Sequence, residues 1–390
     1  MVCLYMAFAV LPVAAKLQSW KDHRLDGSLQ PAPPVELSYA NVHGEAYQTR
    51  LTQWFELTMG FRNWAIWIDN TLLYHVFRET KWGSLVAIGR DDMLFERDDI
   101  NYFNKSGSDL PDPRDIDKLA DQILALQQRL AHEHRALVPL FVPSKTTFYR
   151  DKVPALWTRD LGDPRPSSER VYLAMKRALD ARRVVYADGI DLLAHAPASR
   201  DVLWGASARH FSSYAGCLCV RAALQRYSEL TATAPVDYPC EPELAPAKRT
   251  HADLDLFRLA NAWGVPRDPI GREVKHPPPA AGTGEQRGLR AMWISSSFGW
   301  VMMADAARSS RFEQLHMNYY NNTVYGPSSG AVFDPKQRDE QWRALVLTRD
   351  LYILELNETY LTPGNFFGAD AIAAIAAELG TAPAAGNARP

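Results

Sequence analysis

The 390 residues carry 43 Lys and Arg against 45 Asp and Glu, a formal net charge of -2, and 47% of them are hydrophobic. That balance excludes the basic footprint of a nucleic-acid binder and the composition of a disordered chain, and it suits a large domain with a buried core. The four cysteines, Cys3, Cys217, Cys219 and Cys240, have no zinc-type spacing, so neither a metal site nor a disulfide framework is expected.

Residues 2–15 form an uncharged apolar run that contains Pro12 and ends at Lys16. The run is short of the roughly 20 residues of a membrane span. Residues 1–16 read as a signal peptide or membrane anchor, with a buried N-terminal helix as the alternative; the first reading places the remainder outside the cytoplasm. Residues 17–44, proline-bearing over 26–40, form a linker, and 45–380 form a single domain. Within it, helical periodicity over 47–77 is interrupted at Gly60, and "SLVAIGRDDMLFE" gives two short strands around a turn at Arg90-Asp91-Asp92.

An amphipathic helix follows over 113–135, then the apolar strand "ALVPLFVPS" at 136–144. A helix over 167–182 precedes the strand "RVVYADGID", and another runs from Ser212 to about Glu229. Residues 232–288 are loop-rich, with one helix near 252–263. The strand "RAMWIS" leads through a serine turn into a helix over 298–308; "RALVLTRDLYILELN" is a helix end and a buried strand, and an alanine-rich helix closes the chain. Helices alternating with uninterrupted apolar strands predict an α/β fold with a mainly parallel sheet covered on both faces.

The chemistry centres on "AMWISSSFGW", residues 291–300. Three serines between a strand and a helix serve either as an N-cap or as the turn that lifts a nucleophile to the helix N-terminus, where backbone N–H groups stabilise an oxyanion. In open α/β sheets the carboxyl ends of the strands hold the ligand, and this turn lies at such an end. The histidine in the most informative context is His210, in "SARHFSSYAG", just before a helix. A capping or surface role is its plainer alternative.

Together these segments resemble the alginate O-acetyltransferase family, a group of SGNH-hydrolase-like polysaccharide O-acetyltransferases. "MGFRNWAIWIDNTLLYHVF" with "LVAIGRDDMLFERDDINYF", "LVPLFVPSKTTFYRDKVP", "THADLDLFRLA" and "RDLYILELNETYL" are similar to successive family segments over residues 45–375. "ISSSFG" falls at the family's nucleophile turn and "SARHFSSYAG" at its histidine loop. The resemblance implies a three-layer α/β/α SGNH-hydrolase-like domain in which Ser297 is the nucleophile and His210 the general base, with the Ser297 or Phe298 backbone N–H at the oxyanion. It also implies a periplasmic location, an inner-membrane link through the N-terminal segment, a polysaccharide acceptor and an acetyl donor delivered by a membrane-bound partner protein. No cofactor or metal is implied.

Two positions depart from the family pattern. The aspartate two residues before the histidine is replaced by Ala208, beside Arg209, whose like charge disfavours an imidazolium. Ser295 and Ser296 stand where the family has glycine and a polar residue. Asp201, Asp305, Glu355 and Glu358 are alternative donors of the missing acid. Three functions remain open: an O-acetyltransferase with an incomplete triad, a degenerate polysaccharide-binding protein in which Trp204 and Trp300 stack sugars, and a carbohydrate acetylesterase.

Overall fold

The structure is a computed structural model that describes residues 10–12, 14–18, 20–27, 45–81, 83–104, 110–154, 157, 167–245, 253–264, 271–275, 288–326, 333–361 and 366–381. Most of the expected linker, the "HPPPAAGTGEQ" run and most of the apolar N-terminal run lie outside them. Residues 10–12 and 14–17 are helical and lie against Gly60, where a Cβ would collide with the Pro12 carbonyl and the Lys16 amide. Among the described residues no helix is long and apolar enough to cross a membrane.

Ten strands are described: β1 (Val86–Ile88), β2 (Leu94–Glu96), β3 (Ala136–Val142), β4 (Ala187–Asp188), β5 (Glu241–Ala245), β6 (Gly271–Lys275), β7 (Leu289–Ser295), β8 (Phe312–Tyr319), β9 (Thr323–Tyr325) and β10 (Leu351–Asn357). Six of them make the central sheet in the order β4-β3-β10-β7-β8-β9, parallel except for β9 at the edge. Period-two alternation sends each strand's side chains to two cores. Val138, Trp293 and Ile353 face the helices Ser213–Thr231 and Phe298–Ala306. Phe141, Ile294 and Leu354 face Pro113–Ala131, Ser167–Ala181, Glu340–Thr348 and Phe367–Thr381. The result is the expected three-layer α/β/α architecture.

The helices begin where side chains supply caps. Asp112 accepts from the Arg114 N–H and Ser212 from the Ala215 N–H, each satisfying a backbone donor that a first turn leaves without a carbonyl. Pro139 is tolerated inside β3 because the β4 ladder on that side begins only at Leu140.

Four sequence expectations change. The strand expected in "RVVYADGID" shrinks to two residues because the Gln127 side chain takes the ladder's place, accepting from the Val185 N–H at 3.0 Å and donating to the Val185 carbonyl at 2.8 Å. The loop-rich segment holds the antiparallel pair β5/β6. β8, with Glu313 and Gln314 exposed at its start, has no apolar run to betray it. Cys217 and Cys240, 23 residues apart, form a disulfide. Chain spacing does not reveal that pairing, which arises because residues 232–240 fold back along the Ser213–Thr231 helix with Tyr238 buried in the core.

β8 also carries a pH-sensitive contact. Burial, reinforced by Arg349, holds the His316 imidazole down at about 4, against the ordinary 6.5, and an Arg349 guanidinium N–H lies 3.1 Å from His316 Nδ1. Between pH 6.5 and 4 the unfolded chain binds a proton that the folded chain refuses, so this site's contribution is present above 6.5 and is lost as pH falls toward 4. A His316→Gln protein is expected to show a smaller drop in thermal midpoint between pH 7 and 4.5 than the parent, measured by circular dichroism.

Candidate active site

The serine turn is built from the sheet upward. Alternation along β7 puts Ser295 on the same face as Trp293, and the parallel register Leu354↔Ile294 brings Glu355 of β10 beside it. Glu355 is fully buried, and burial raises its carboxyl above the usual range while the serine donors pull it down. Ser295 Oγ–H and the Ser296 N–H donate to its Oε2, and Ser296 Oγ–H donates to its Oε1. The first two serines of the triplet therefore anchor the turn to a carboxylate beneath it. Ser297 is left without a capping bond at the start of the Phe298–Ala306 helix.

Gly299 makes this possible. A Cβ there would meet Ser295 Oγ at 2.2 Å and the Met317 sulfur at 2.8 Å, so the helix starts directly on top of Ser295 only because position 299 is bare. The side chain of Ser295 at the end of β7 is thus accommodated by the glycine four residues later.

The histidine loop is fixed from below by a buried cation. Lys145, 1% exposed, donates from Nζ to the carbonyls of Gly205, Ala206 and Ala208 at 2.8, 2.8 and 2.6 Å. Burial of an ammonium is tolerated only when its donors are taken up, and three carbonyls of one loop do so here. The loop returns through Phe211, fully buried, to the Ser212 cap, and the His210 ring sits edge-on to Phe298 at 4.8 Å between centroids.

These two pieces meet. His210 Nε2 is 2.8 Å from Ser297 Oγ, and His210 Nδ1 is 2.6 Å from Asp255 Oδ2. Asp255 opens the short helix Asp255–Leu259, and its other oxygen accepts from the Arg209 N–H at 2.6 Å and the Leu256 N–H at 2.8 Å. With both backbone donors on Oδ1, the carboxylate is held with Oδ2 toward the imidazole. The carboxylate then favours the tautomer with its proton on Nδ1, leaving Nε2 to accept from the Ser297 hydroxyl.

The acid expected to be missing at Ala208 is therefore supplied by Asp255, a residue not among the alternatives. Ala208 is buried, and its carbonyl is one of the three held by Lys145. None of the four named acids reaches the histidine in a hydrogen bond. Asp201 lies exposed on the Arg200–Leu203 helix, Asp305 accepts from the Tyr238 hydroxyl at 3.0 Å, Glu355 binds the serines, and Glu358 accepts from the Ser144 N–H at 2.7 Å. Asp255 lies in "THADLDLFRLA", which also holds Asp253, and it stands 45 residues from the histidine, a separation to which no spacing rule applies.

The Arg209 guanidinium is turned to the buried carboxyl of Glu96, which burial pushes up to about 8, and donates from Nη2 to the Tyr360 hydroxyl at 3.1 Å. Of the two expected oxyanion donors, the Phe298 N–H is engaged with Ser296 Oγ at 3.3 Å, whereas the Ser297 N–H has no acceptor among the described residues. It lies at the N-terminus of a nine-residue helix, whose dipole favours negative charge. Trp204 is fully buried, with its indole N–H on the Arg209 carbonyl, and offers no face to a sugar; Trp300 is 37% exposed. Among the described residues no cluster of His, Cys, Asp and Glu could hold a metal ion.

No protein-family model and no characterised sequence matches the chain. Among solved structures it is similar to the O-acetyltransferase domain of Pseudomonas putida AlgJ, 15% identical, with 75% of this chain and 98% of that one covered at a TM-score of 0.47. Bacillus cereus PatB1 is 11% identical over 73% of this chain and 99% of its own, with a TM-score of 0.43. Pseudomonas aeruginosa AlgX is 13% identical over 74% and 65%, with a TM-score of 0.41. At these values the likeness is one of distant folds and assigns no activity.

Proposed function

We propose that the chain is an SGNH-hydrolase-like O-acetyltransferase that moves acetyl groups onto hydroxyls of a secreted polysaccharide through an acetyl-Ser297 intermediate. The observation that carries this reading is the unbroken chain Ser297–His210–Asp255, with links of 2.8 and 2.6 Å, at the carboxyl end of the sheet. Ser297 Oγ attacks the acetyl carbonyl as its proton passes to His210 Nε2. The Ser297 N–H meets the developing oxyanion, and Asp255 stabilises the imidazolium. Collapse breaks the bond to the donor's leaving oxygen, which takes the proton from Nε2 and departs. A sugar hydroxyl then gives its proton to Nε2 and attacks the acetyl-serine, releasing the acetylated sugar and the free hydroxyl of Ser297.

The degenerate-binder reading rested on Ala208, and Asp255 removes that ground. The periplasmic location, the N-terminal membrane link and a membrane-bound partner as acetyl source belong to this proposal through the family resemblance. To separate transferase from esterase, the protein is incubated with p-nitrophenyl acetate and an oligosaccharide, and the products are weighed by mass spectrometry. Acetylated oligosaccharide that disappears in Ser297→Ala is the expected result; free acetate alone would make the chain an esterase.

A further inference from the structure

A continuous set of aromatic rings links the helix that follows Ser297 to Arg209, the residue before His210. Trp300 follows Ser297 by three residues on the same helix face. Its ring lies 5.1 Å from Tyr325 and 5.9 Å from Tyr319 between centroids. Tyr319 lies 4.5 Å from Tyr320, and Tyr320 lies 5.6 Å from Tyr360, whose hydroxyl is 3.0 Å from that of Tyr320. Tyr360 in turn receives the Arg209 guanidinium, and Arg209 immediately precedes His210. The rings thus run from one turn beyond the nucleophile to the residue before the base.

Tyr320 occupies a conformation that its side chain does not favour. Its φ is 50°, in the left-handed region that a bulky aromatic rarely adopts, and its N–H donates to the Ser295 carbonyl at 3.1 Å. Asn321, with φ 51°, follows it, and the two residues lie in the hairpin turn between β8 and β9, which that hydrogen bond ties to the serine turn. All five residues are partly exposed.

We propose that Trp300, Tyr319, Tyr320, Tyr325 and Tyr360 form the acceptor subsite, a platform on which successive pyranose rings of a polysaccharide lie. This rests on the acetyl-transfer reading above. A pyranose presents apolar C–H faces and a rim of hydroxyls, and tilted tyrosine and tryptophan rings offer both an apolar face and a polar edge. Arg209 beside the rings is turned to Glu96 and donates to the Tyr360 hydroxyl, so it holds the last ring of the set in place.

The test uses the full chain as Ser297→Ala, so that nothing turns over, titrated calorimetrically with cellohexaose and with a mannuronate hexamer. Saturable binding of at least one hexamer is expected, weakened about ten-fold or more by Trp300→Ala and by Tyr325→Ala, and largely kept in Trp300→Phe. Thermal midpoints of the variants show that they remain folded. Absence of binding by both hexamers, or binding unchanged in both alanine variants, overturns the platform. Ser297-dependent ester turnover is measured separately on the unsubstituted protein: turnover without glycan binding removes the platform alone, while glycan binding without turnover retains the platform and removes the transfer reading.

Discussion

Asp255→Asn is expected to lower acetyl-ester turnover by about 10³ to 10⁴ while leaving the fold and the substrate KM nearly unchanged. The amide can keep its oxygen on the Arg209 and Leu256 N–H groups, which now hold Oδ1 at 2.6 and 2.8 Å, so the backbone has no reason to move. The group facing His210 Nδ1 then becomes an NH₂, which accepts no proton and favours the tautomer with hydrogen on Nε2. That nitrogen, 2.8 Å from Ser297 Oγ, can no longer take the serine proton. Stopped-flow or steady-state release of p-nitrophenolate measures the effect. The companion Ala208→Asp is expected to gain nothing, because position 208 is buried and its carbonyl is held by Lys145, so that added volume there costs about 1–3 kcal/mol of stability. A rise in turnover in Ala208→Asp together with an unaffected Asp255→Asn would contradict the assigned triad.

Lys145→Met is expected to destabilise the protein by about 1–3 kcal/mol. The substitution removes the ammonium from three carbonyls, but those of Gly205 and Ala206 keep the Ala208 and Leu94 N–H groups, so the Ala208 carbonyl carries the main loss, and a buried acceptor deprived of its donor costs about 1–3 kcal/mol. Relief from burying a charge offsets part of the weaker losses at the other two. Methionine keeps the volume, so cavity formation adds little. Because the same carbonyls shape the loop that presents His210, the folded fraction is also expected to turn over more slowly, with kcat affected more than KM. Urea unfolding with matched kinetics measures both; a loss below about 1 kcal/mol would mean that the loop holds itself.

Much of this arrangement is legible in the chain. The strands at 136–142, 291–294 and 351–354 are buried on both faces of a parallel sheet, and that environment writes an apolar run into the sequence. Ser297 and His210 are legible because a turn at a strand end and a loop before a helix are local features. Asp255 is not, since it stands 45 residues from the histidine and meets it only through the tertiary fold. The Cys217–Cys240 pairing and β8 escape for the same reason, one set by a returning loop and the other by a neighbour's register. The serine triplet shows what a local reading leaves out. Ser295 and Ser296 look like drift from a family turn, yet with Glu355 beneath them and Gly299 above they form a substitute for it.

Trapping the acetyl-serine intermediate tests the role of Ser297. The protein is mixed with p-nitrophenyl acetate, quenched in acid within the first turnover and mapped by peptide mass spectrometry, alongside His210→Ala. One acetyl group, on Ser297 and absent from the histidine variant, is the expected result. Continued turnover with an adduct on another residue, or with Ser297 never labelled, would contradict that role.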